Sequence, residues 1–281
     1  MTANVRQTLG ICCLLLAVLG GAPARAAPDA ELWARWVGHD PASALQVDHG
    51  AWDVLIARYR SVGNDGIARF RYGAVTAEDR AALDAYLSAL AATPVSRLRR
   101  DQQRAFWINL YNALTVRVVL DHYPLSSIRD IDISPGLFSD GPWGAQLIAV
   151  DGEPLTLDDI EHRILRPIWR DPRLHYAVNC ASLSCPDLPP EAMRADTADR
   201  LLDAAARAYV NHPRAVAFDA EGRLVVSSIY AWYGSDFGDG DAAIIAHLRA
   251  YAEPALAARL AAVTSIADHD YDWRLNDASP P

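Results

Sequence analysis

The sequence predicts a mainly helical α+β fold in a single domain, with a small mixed or antiparallel sheet and two hairpins. Three observations favour this class. The 281 residues are 51% hydrophobic, which is enough to bury a large core. Segments with the apolar spacing of helices outnumber segments that resemble strands. The predicted strands also occur in pairs joined by tight turns, so they pair with chain neighbours instead of alternating with helices.

The N-terminus resembles a secretory signal peptide. Arg6 supplies a positive charge, residues 9–19 are an apolar run, and Ala24-Arg25-Ala26 places small residues around a cleavage point. The apolar run is too short to cross a bilayer as a helix. We therefore expect a signal peptide over residues 1–26 and a periplasmic or secreted domain over residues 27–281 that has no membrane span.

The charge of the chain excludes several classes of function. It has 26 basic and 35 acidic residues, and loss of residues 1–26 leaves 24 basic and 35 acidic residues, a net charge of −11. This balance disfavours nonspecific binding to nucleic acid or to anionic membranes. Every basic residue is arginine, which excludes Schiff-base lysine chemistry and a P-loop lysine.

The first third of the mature chain is predicted to be helical. We expect a short helix near Trp33–Trp36, a helix over Trp52–Arg60 and a turn at Asn64-Asp65-Gly66. A longer helix over Thr76–Ala92 is indicated by a threonine that can cap it and by an apolar stripe at helical spacing.

The segment Asp101–His122 is predicted to be a buried core helix. It is apolar on nearly all sides, and Pro124 ends it. Asn109 and Asn112 lie three residues apart, so their amides share one face. Buried amides need hydrogen-bond partners. They are therefore either a structural pair that ties the helix to a loop or groups that position a substrate carbonyl or a catalytic side chain.

The rest of the chain alternates helices with hairpins. The predicted elements are, in chain order, a hairpin of Gln146–Val150 and Glu153–Leu155, a Thr156-capped helix to Arg166, a buried strand Arg173–Cys180, a helix Ala198–Val210, a hairpin of Ala215–Phe218 and Arg223–Ser227, and helices Ala242–Tyr251 and Pro254–Ala262.

Acidic residues and a histidine share the helix that Thr156 caps. Asp158 and His162 are four residues apart, so this carboxylate can pair with the imidazole and raise its pKa. Glu161 projects about 100° away around the helix. Acidic residues in a first helical turn also serve simply to complement the helix dipole.

Cys180 is the candidate nucleophile. It ends the predicted strand and enters a turn of small polar residues, where free backbone N–H groups would stabilise a thiolate and an oxyanion. His175 lies roughly 16 Å away along an extended strand and on its opposite face, so a base from another element, His162 first, is expected. A Cys180–Cys185 disulfide, buried free thiols and metal ligation are the competing interpretations.

These segments resemble the bacterial and plant domain-of-unknown-function 547 family, over a motif-bearing core of about residues 52–276. The matching motifs are Ala105–Thr115, Leu155–His162 with Leu165 and Arg166, Asp171–Pro186, Ser228–Gly238 and Tyr271–Asn276. Ala231 stands where a basic residue is expected. The resemblance implies no established activity. It places the family's motif residues on the positions already selected, namely Asn109, Asn112, Glu161, His162, His175, Cys180, Cys185 and Asp236.

We therefore expect a cysteine-type hydrolase or acyl-transfer enzyme that acts on an amide or peptide in the cell envelope. Its catalytic residues would be Cys180 as nucleophile, His162 or His175 as base, and Glu161 as the group that orients the base. Its substrate-binding residues would be Asn109, Asn112, Cys185 and Asp236. No cofactor, metal or nucleic-acid partner is predicted.

Two other classes of protein remain open. One is a noncatalytic peptide- or glycan-binding module held by a structural Cys180–Cys185 disulfide. The other is a calcium-dependent structural protein, since acidic clusters at Asp236, Asp239 and Asp241 and at 268–272 offer oxygen ligands. Neither cluster has the spacing of an EF-hand.

Overall fold

The computed structural model describes residues 27–136, 140–238 and 240–278. The predicted signal peptide and Asp239 lie outside the described residues. Within them the fold is a mainly helical α+β domain with small sheets, as the sequence predicts.

Helices dominate the first half of the chain. The elements are a 3-10 helix Ala34–Val37, α1 Gly50–Tyr59, β1 Arg60–Val62, β2 Ala68–Phe70, a 3-10 helix Tyr72–Ala74, α2 Ala77–Ala91, a 3-10 helix Val95–Arg97, α3 Arg100–His122 and a 3-10 helix Ile128–Asp130. Thr76 caps α2 as predicted, because its side chain accepts the Asp79 N–H at 3.1 Å.

The second half mixes short strands and helices. The elements are β3 Ile148–Val150, β4 Glu153–Leu155, a π-helix Asp159–Leu165, α4 Arg166–Trp169, a 3-10 helix Pro172–Tyr176, α5 Ala198–Val210, β5 Val216–Phe218, β6 Leu224–Ser227, α6 Ile229–Trp232, α7 Gly234–Phe237, α8 Gly240–Tyr251, α9 Pro254–Leu260 and β7 Asp268–Asp270.

The sheets are built from hairpins. Both predicted hairpins form, β3–β4 and β5–β6, with Val150 opposite Glu153 and Val216 opposite Val226. A third hairpin, β1–β2, surrounds the predicted turn at 64–66. Strand β7 adds to β6 in parallel, so the three-stranded sheet β5–β6–β7 is mixed.

Helix α3 is the centre of the core, as its apolar sequence predicts. Phe106 and Trp107 are fully buried, and α3 packs against α2 and the π-helix. A second group of buried side chains surrounds Tyr176, Tyr209 and Tyr230. Among the described residues no helix combines the length and the apolarity that crossing a bilayer requires.

The predicted strand Arg173–Cys180 is wrong. A 3-10 helix occupies Pro172–Tyr176, and an irregular loop follows it. Asp171 caps this helix by accepting the Arg173 N–H at 3.0 Å, and Pro172 stands in the first turn, where proline is favoured. A short apolar run is compatible with either a buried strand or a buried helix. The pair Asp171-Pro172 is the feature that indicates a helix here, because it forms the cap and the first turn.

The helix after Thr156 differs from an ordinary α-helix. Its capping box forms, because Thr156 Oγ1 accepts the Asp159 N–H at 2.9 Å and the Asp159 carboxylate accepts the Thr156 N–H at 3.0 Å. The segment Asp159–Leu165 is then π-helical, with the Arg166 N–H bonded to the Glu161 carbonyl. Such wide turns occur frequently at functional sites.

Candidate functional site

The candidate site is built on the loop of residues 177–186. Helix α3 holds its first part, because the Asn112 amide donates to the Ala177 carbonyl and accepts the Asn179 N–H, both at 2.8 Å. The Asn179 side chain in turn accepts the Ala181 N–H at 2.9 Å and donates to the Pro186 carbonyl at 2.7 Å. This network keeps the backbone around residue 180 in one conformation.

Ala181 has a left-handed backbone, with φ of 60°, directly after Cys180. A residue with a Cβ is strained in this region, and such strain is concentrated at functional sites. The surrounding bonds maintain it: Asn179 accepts the Ala181 N–H, and the Asn276 N–H donates to the Ala181 carbonyl at 2.9 Å. The turn thereby places the Cys180 side chain at the edge of the loop.

The C-terminal segment 271–276 forms the other side of the site. The Leu183 N–H donates to the Arg274 carbonyl at 2.8 Å, and Ser182 pairs with Leu275 in an isolated β-bridge. This pairing brings Tyr271 over the loop, where its ring lies against the Trp232 ring with centroids 4.7 Å apart.

Cys180 and Cys185 are free thiols in the structure. The Cys180 Sγ lies 3.2 Å from Ser182 Oγ and 3.1 Å from Tyr271 Oη. The Cys180 N–H donates to Cys185 Sγ at 3.0 Å, so the second sulfur lies against the first residue. Cys180 is partly exposed, whereas Cys185 is 4% exposed.

The two thiols differ in acidity. A hydrogen bond from the Cys185 thiol, with others from the Ser182 and Tyr271 hydroxyls, lowers the pKa of Cys180 to about 7 against the opposing effect of burial. Burial raises the pKa of Cys185 well above its ordinary value. Cys180 is therefore the more acidic of the two thiols.

The backbone N–H groups after Cys180 are not free, contrary to the prediction. Ala181 donates to the Asn179 side chain, and Leu183 and Ser184 donate to carbonyls of the C-terminal segment. The groups beside the sulfur that remain to stabilise an oxyanion are the hydroxyls of Ser182 and Tyr271.

A second group of polar side chains surrounds His175. Its Nε2 lies 2.7 Å from Asp236 Oδ2, and its Nδ1 lies 3.6 Å from Glu161 Oε1. Arg166 donates to both Asp236 oxygens, at 2.6 and 3.2 Å. The Tyr233 ring stacks on the imidazole with centroids 4.1 Å apart. Glu161, Asp236 and His175 therefore form the charged cluster, together with Arg166.

The charges of this cluster support one another. Burial disfavours the cationic form of His175, but hydrogen bonds to Asp236 and Glu161 outweigh it and raise the pKa of His175. Burial opposes ionisation of Glu161, yet His162, His175 and Arg166 lower its pKa to about 2. The pKa of Asp236 is lowered for the same reason, by His175 and Arg166 against burial. The cluster is thus an imidazolium held between two carboxylates.

His162 belongs to the edge of the same cluster. Its Nδ1 accepts from Arg166 Nη1 at 3.0 Å, and its Nε2 lies 3.5 Å from Asp158 Oδ1. The predicted Asp158–His162 contact is therefore formed. Arg166 also donates to the Pro28 carbonyl at 2.6 Å, which brings the start of the predicted mature chain to the cluster.

The predicted pairing of Cys180 with a histidine base is not formed among the described residues. Both ring nitrogens of His175 face carboxylates, and His162 faces Arg166 and Asp158. The reason is that the 3-10 helix and the π-helix direct both imidazoles into the charged cluster. Tyr111 and Tyr233 neighbour both Cys180 and Glu161, and so connect the two groups electrostatically.

The two asparagines of α3 bond to backbone groups. Asn109 donates to the Met193 carbonyl and accepts the Met193 N–H, both at 2.8 Å, and Asn112 holds residues 177 and 179 in the same manner. Each is 1% exposed. These are the contacts expected of the structural pair, and the substrate-positioning role stays a prediction.

Several functional neighbours were missed at the sequence level. Ser182 and Tyr271 contact the nucleophile, and Arg166 and Tyr233 complete the charged cluster. All four stand inside the family-like motifs, which was the available signal. Among the described residues no group of three or more His, Cys, Asp or Glu side chains is arranged to hold a metal ion.

Comparison with known proteins gives one finding. Residues 95–210 match the model of a family described as "Protein of unknown function, DUF547". Comparison with curated proteins and with solved structures gave no match. The matched segment contains α3, the π-helix and the loop of Cys180 and Cys185. The chain is therefore similar to the DUF547 family over this segment, as its motifs indicate.

Proposed function

We propose that this chain is an exported cysteine-type enzyme, a hydrolase or acyl-transfer enzyme that acts on an amide or peptide in the cell envelope. The observation that carries the proposal is Cys180, a free and partly exposed thiol whose sulfur lies 3.2 Å from the Ser182 hydroxyl and 3.1 Å from the Tyr271 hydroxyl. A thiolate formed near neutral pH is the reactive form of a cysteine nucleophile.

The groups around the sulfur suit acyl transfer. The thiolate attacks the carbonyl carbon, and the negative charge that develops on the carbonyl oxygen needs preorganised donors. Ser182 Oγ and Tyr271 Oη lie 3.2 and 3.1 Å from the sulfur, so their hydroxyls take this role in place of backbone N–H groups. The C–N bond then breaks, the amine leaves with a proton from water, and the acyl group remains on Cys180 as a thioester. Water then hydrolyses the thioester, or a second nucleophile accepts the acyl group.

The charged cluster is assigned a positioning role. Both ring nitrogens of His175 face carboxylates, so neither is directed at the Cys180 sulfur to take its proton. The imidazole supports the Tyr233 ring by stacking. Glu161 and Asp236 in turn keep the imidazole in place.

The alternative is a noncatalytic module held by a Cys180–Cys185 disulfide. Both cysteines are free in the structure, and the Cys185 sulfur accepts the Cys180 N–H at 3.0 Å. This arrangement supports the enzyme. Location in the periplasm or outside the cell is proposed from the signal-like residues 1–26 alone.

The proposal is tested by turnover of an acyl donor. Purified protein lacking residues 1–26 is mixed with p-nitrophenyl acetate and with a mixture of short peptide amides, and product release is followed beyond one equivalent per protein. We expect multiple turnovers that Cys180→Ser reduces to the uncatalysed rate. Ser88→Ala, on the exposed face of α2, is the control and should retain turnover. Release that stops at one equivalent contradicts the proposal.

A further inference from the structure

The two thiols of the site are neighbours with unequal access. Cys185 Sγ accepts the Cys180 N–H at 3.0 Å, so the second sulfur lies against the backbone of the first cysteine. Cys185 is 4% exposed and also lies 3.8 Å from the Val178 carbonyl, whereas Cys180 is partly exposed. An external molecule therefore meets Cys180 first, with the second thiol directly behind it.

The more exposed thiol of the pair is also the more acidic one. The outer thiol, Cys180, has a pKa lowered to about 7 by the thiol and hydroxyl donors around it. The inner thiol, Cys185, stays protonated because burial raises its pKa. An attacking thiol is fastest when its pKa is near the ambient pH, and a second thiol resolves the intermediate once the first is consumed.

The site also meets the smaller set of requirements that disulfide exchange has. The N–H groups of Ala181, Leu183 and Ser184 are bonded within the protein, and the polar contacts of the imidazoles are made elsewhere. Attack on a disulfide forms no oxyanion, because the negative charge passes from one sulfur to another. Its requirements are a thiolate, access and a resolving thiol, and the site supplies them.

The loop keeps the two sulfurs together while they are reduced. The Asn179 side chain accepts the Ala181 N–H, directly after Cys180, and donates to the Pro186 carbonyl, directly after Cys185. Asn112 attaches the start of this loop to α3. The two cysteines are therefore held close together in space by this loop and not by a disulfide.

We propose that Cys180 and Cys185 also act as a dithiol that reduces or exchanges disulfides of other envelope proteins, an activity beyond the proposed acyl transfer although it uses the same nucleophile. The Cys180 thiolate attacks one sulfur of the substrate disulfide, the substrate S–S bond breaks, and the other substrate sulfur leaves as a thiolate. Cys185 loses its proton to solvent and attacks the Cys180 sulfur. The second substrate thiolate leaves, the substrate is reduced, and the Cys180–Cys185 pair is oxidised.

The test uses a disulfide-linked peptide dimer as probe, with intact-mass measurement of the protein. Wild type should release both peptide thiols and lose two hydrogens, which shows an internal disulfide. Cys185→Ser should stop at the mixed disulfide with one peptide attached. Cys180→Ser should leave the probe intact. The comparison is made at about pH 8.5, because loss of the Cys185 donor returns Cys180 toward its ordinary thiol pKa.

The outcomes separate this activity from acyl transfer. If the wild-type protein keeps the peptide attached, as Cys185→Ser is expected to do, Cys185 does not resolve the mixed disulfide and the proposal is overturned. Equal reaction of Cys180→Ser and wild type also overturns it. Turnover of p-nitrophenyl acetate is measured on the same samples. Acyl turnover without peptide release refutes only the proposed disulfide exchange. Peptide release without acyl turnover refutes only the proposed hydrolase. Melting temperatures equal to wild type show that the serine variants are folded.

Discussion

At the scale of single residues, the acidity of Cys180 depends on hydroxyl and thiol donors rather than on an imidazole. Tyr271 Oη lies 3.1 Å from the sulfur and also accepts from Ser182 Oγ at 2.9 Å. Burial raises the pKa of Tyr271 well above its ordinary value, so its hydroxyl remains a donor. The reactivity of the nucleophile should therefore respond to the loss of a single oxygen atom.

Tyr271→Phe should raise the pKa of Cys180, because one donor to its thiolate is removed. We expect the midpoint of the pH dependence of iodoacetamide alkylation at Cys180, measured by peptide mass, to move from about 7 toward the ordinary thiol value of about 8.5. Tyr251→Phe, on α8, is the matched control and should leave the midpoint unchanged. An unaltered midpoint in Tyr271→Phe would show that the hydroxyl does not stabilise the thiolate.

The charged cluster should make stability depend on pH. The raised pKa of His175 gives stability that is complete below its unfolded value of 6.5 and lost as pH rises through the folded value. The lowered pKa of Asp236 gives stability that is present above its unfolded value of 3.8 and lost as pH falls. The contribution of the cluster should be largest between these values, at about pH 5.

Asp236→Asn tests this dependence. It breaks the pairing with Arg166 and His175, and we expect a loss of about 3 kcal/mol in the free energy of unfolding at about pH 5. The difference from wild type, measured by urea unfolding, should shrink toward about pH 3 and about pH 9. Asp132→Asn, at an exposed position, is the control. If the difference in unfolding free energy between Asp236→Asn and wild type is the same at all three pH values, the stability of the cluster does not depend on the titration of His175 and Asp236.

Residue-level reasoning selected the site residues but not their partners. Glu161, His162, His175 and Asp236 were each singled out, and the structure brings them together with Arg166. Their association depends on segments that are distant in the chain, so spacing alone cannot reveal it. For the same reason the expected contact of His162 or His175 with Cys180 is not formed among the described residues, since both rings contact the charged cluster instead.

At the scale of elements, α3 is the scaffold that holds the loop of residues 177–186. Asn112 and Asn109 have the same burial and bond the backbone in the same way, but only Asn112 holds the loop of Cys180. The two positions therefore form a matched pair that separates stability from control of the site.

Asn112→Ala should lose stability and alter the thiol, whereas Asn109→Ala should lose stability only. Each variant leaves two buried backbone groups without partners, and we expect a loss of about 3 kcal/mol in the free energy of unfolding for either. Only Asn112→Ala should change the alkylation midpoint of Cys180, because residues 177 and 179 are released. A changed midpoint in both variants would assign the effect to general destabilisation.

Element prediction succeeded where the pattern or cap was distinctive. The long apolar run of α3 and the Thr76 cap of α2 both predicted their helices. It failed at Arg173–Cys180, where a short apolar run carries no period and the Asp-Pro signal was not weighed. The π-helix could not be predicted, since its cap and apolar residues are those of an α-helix.

At the scale of the whole molecule, the charged cluster joins two cores. The π-helix and α3 contribute to one buried cluster, and Tyr230 and Phe237 to the other. The ion pair of Arg166 with Asp236 crosses from the first to the second. The general class was predictable because hydrophobic content and local strand pairing determine it, whereas the junction required the folded arrangement.

The start of the predicted mature chain also contributes to this junction. The Pro28 carbonyl accepts from Arg166 at 2.6 Å, and the Glu31 N–H donates to the His162 carbonyl at 3.0 Å. Cleavage before Ala27 would retain both contacts, whereas cleavage a few residues later would remove the acceptor of Arg166. The proposed cleavage point and the charged cluster are therefore compatible.

Export should therefore yield a protein that begins at Ala27. When the full chain is produced in a Gram-negative bacterium, we expect the envelope fraction to contain protein whose N-terminal sequence is Ala-Pro-Asp, because small residues at 24 and 26 suit the cleavage enzyme. Ala26→Leu should block this cleavage and leave the longer chain, whereas the neighbouring change Ala22→Leu should not. Wild-type protein that retains Met1 and stays out of the envelope fraction would refute the proposed export.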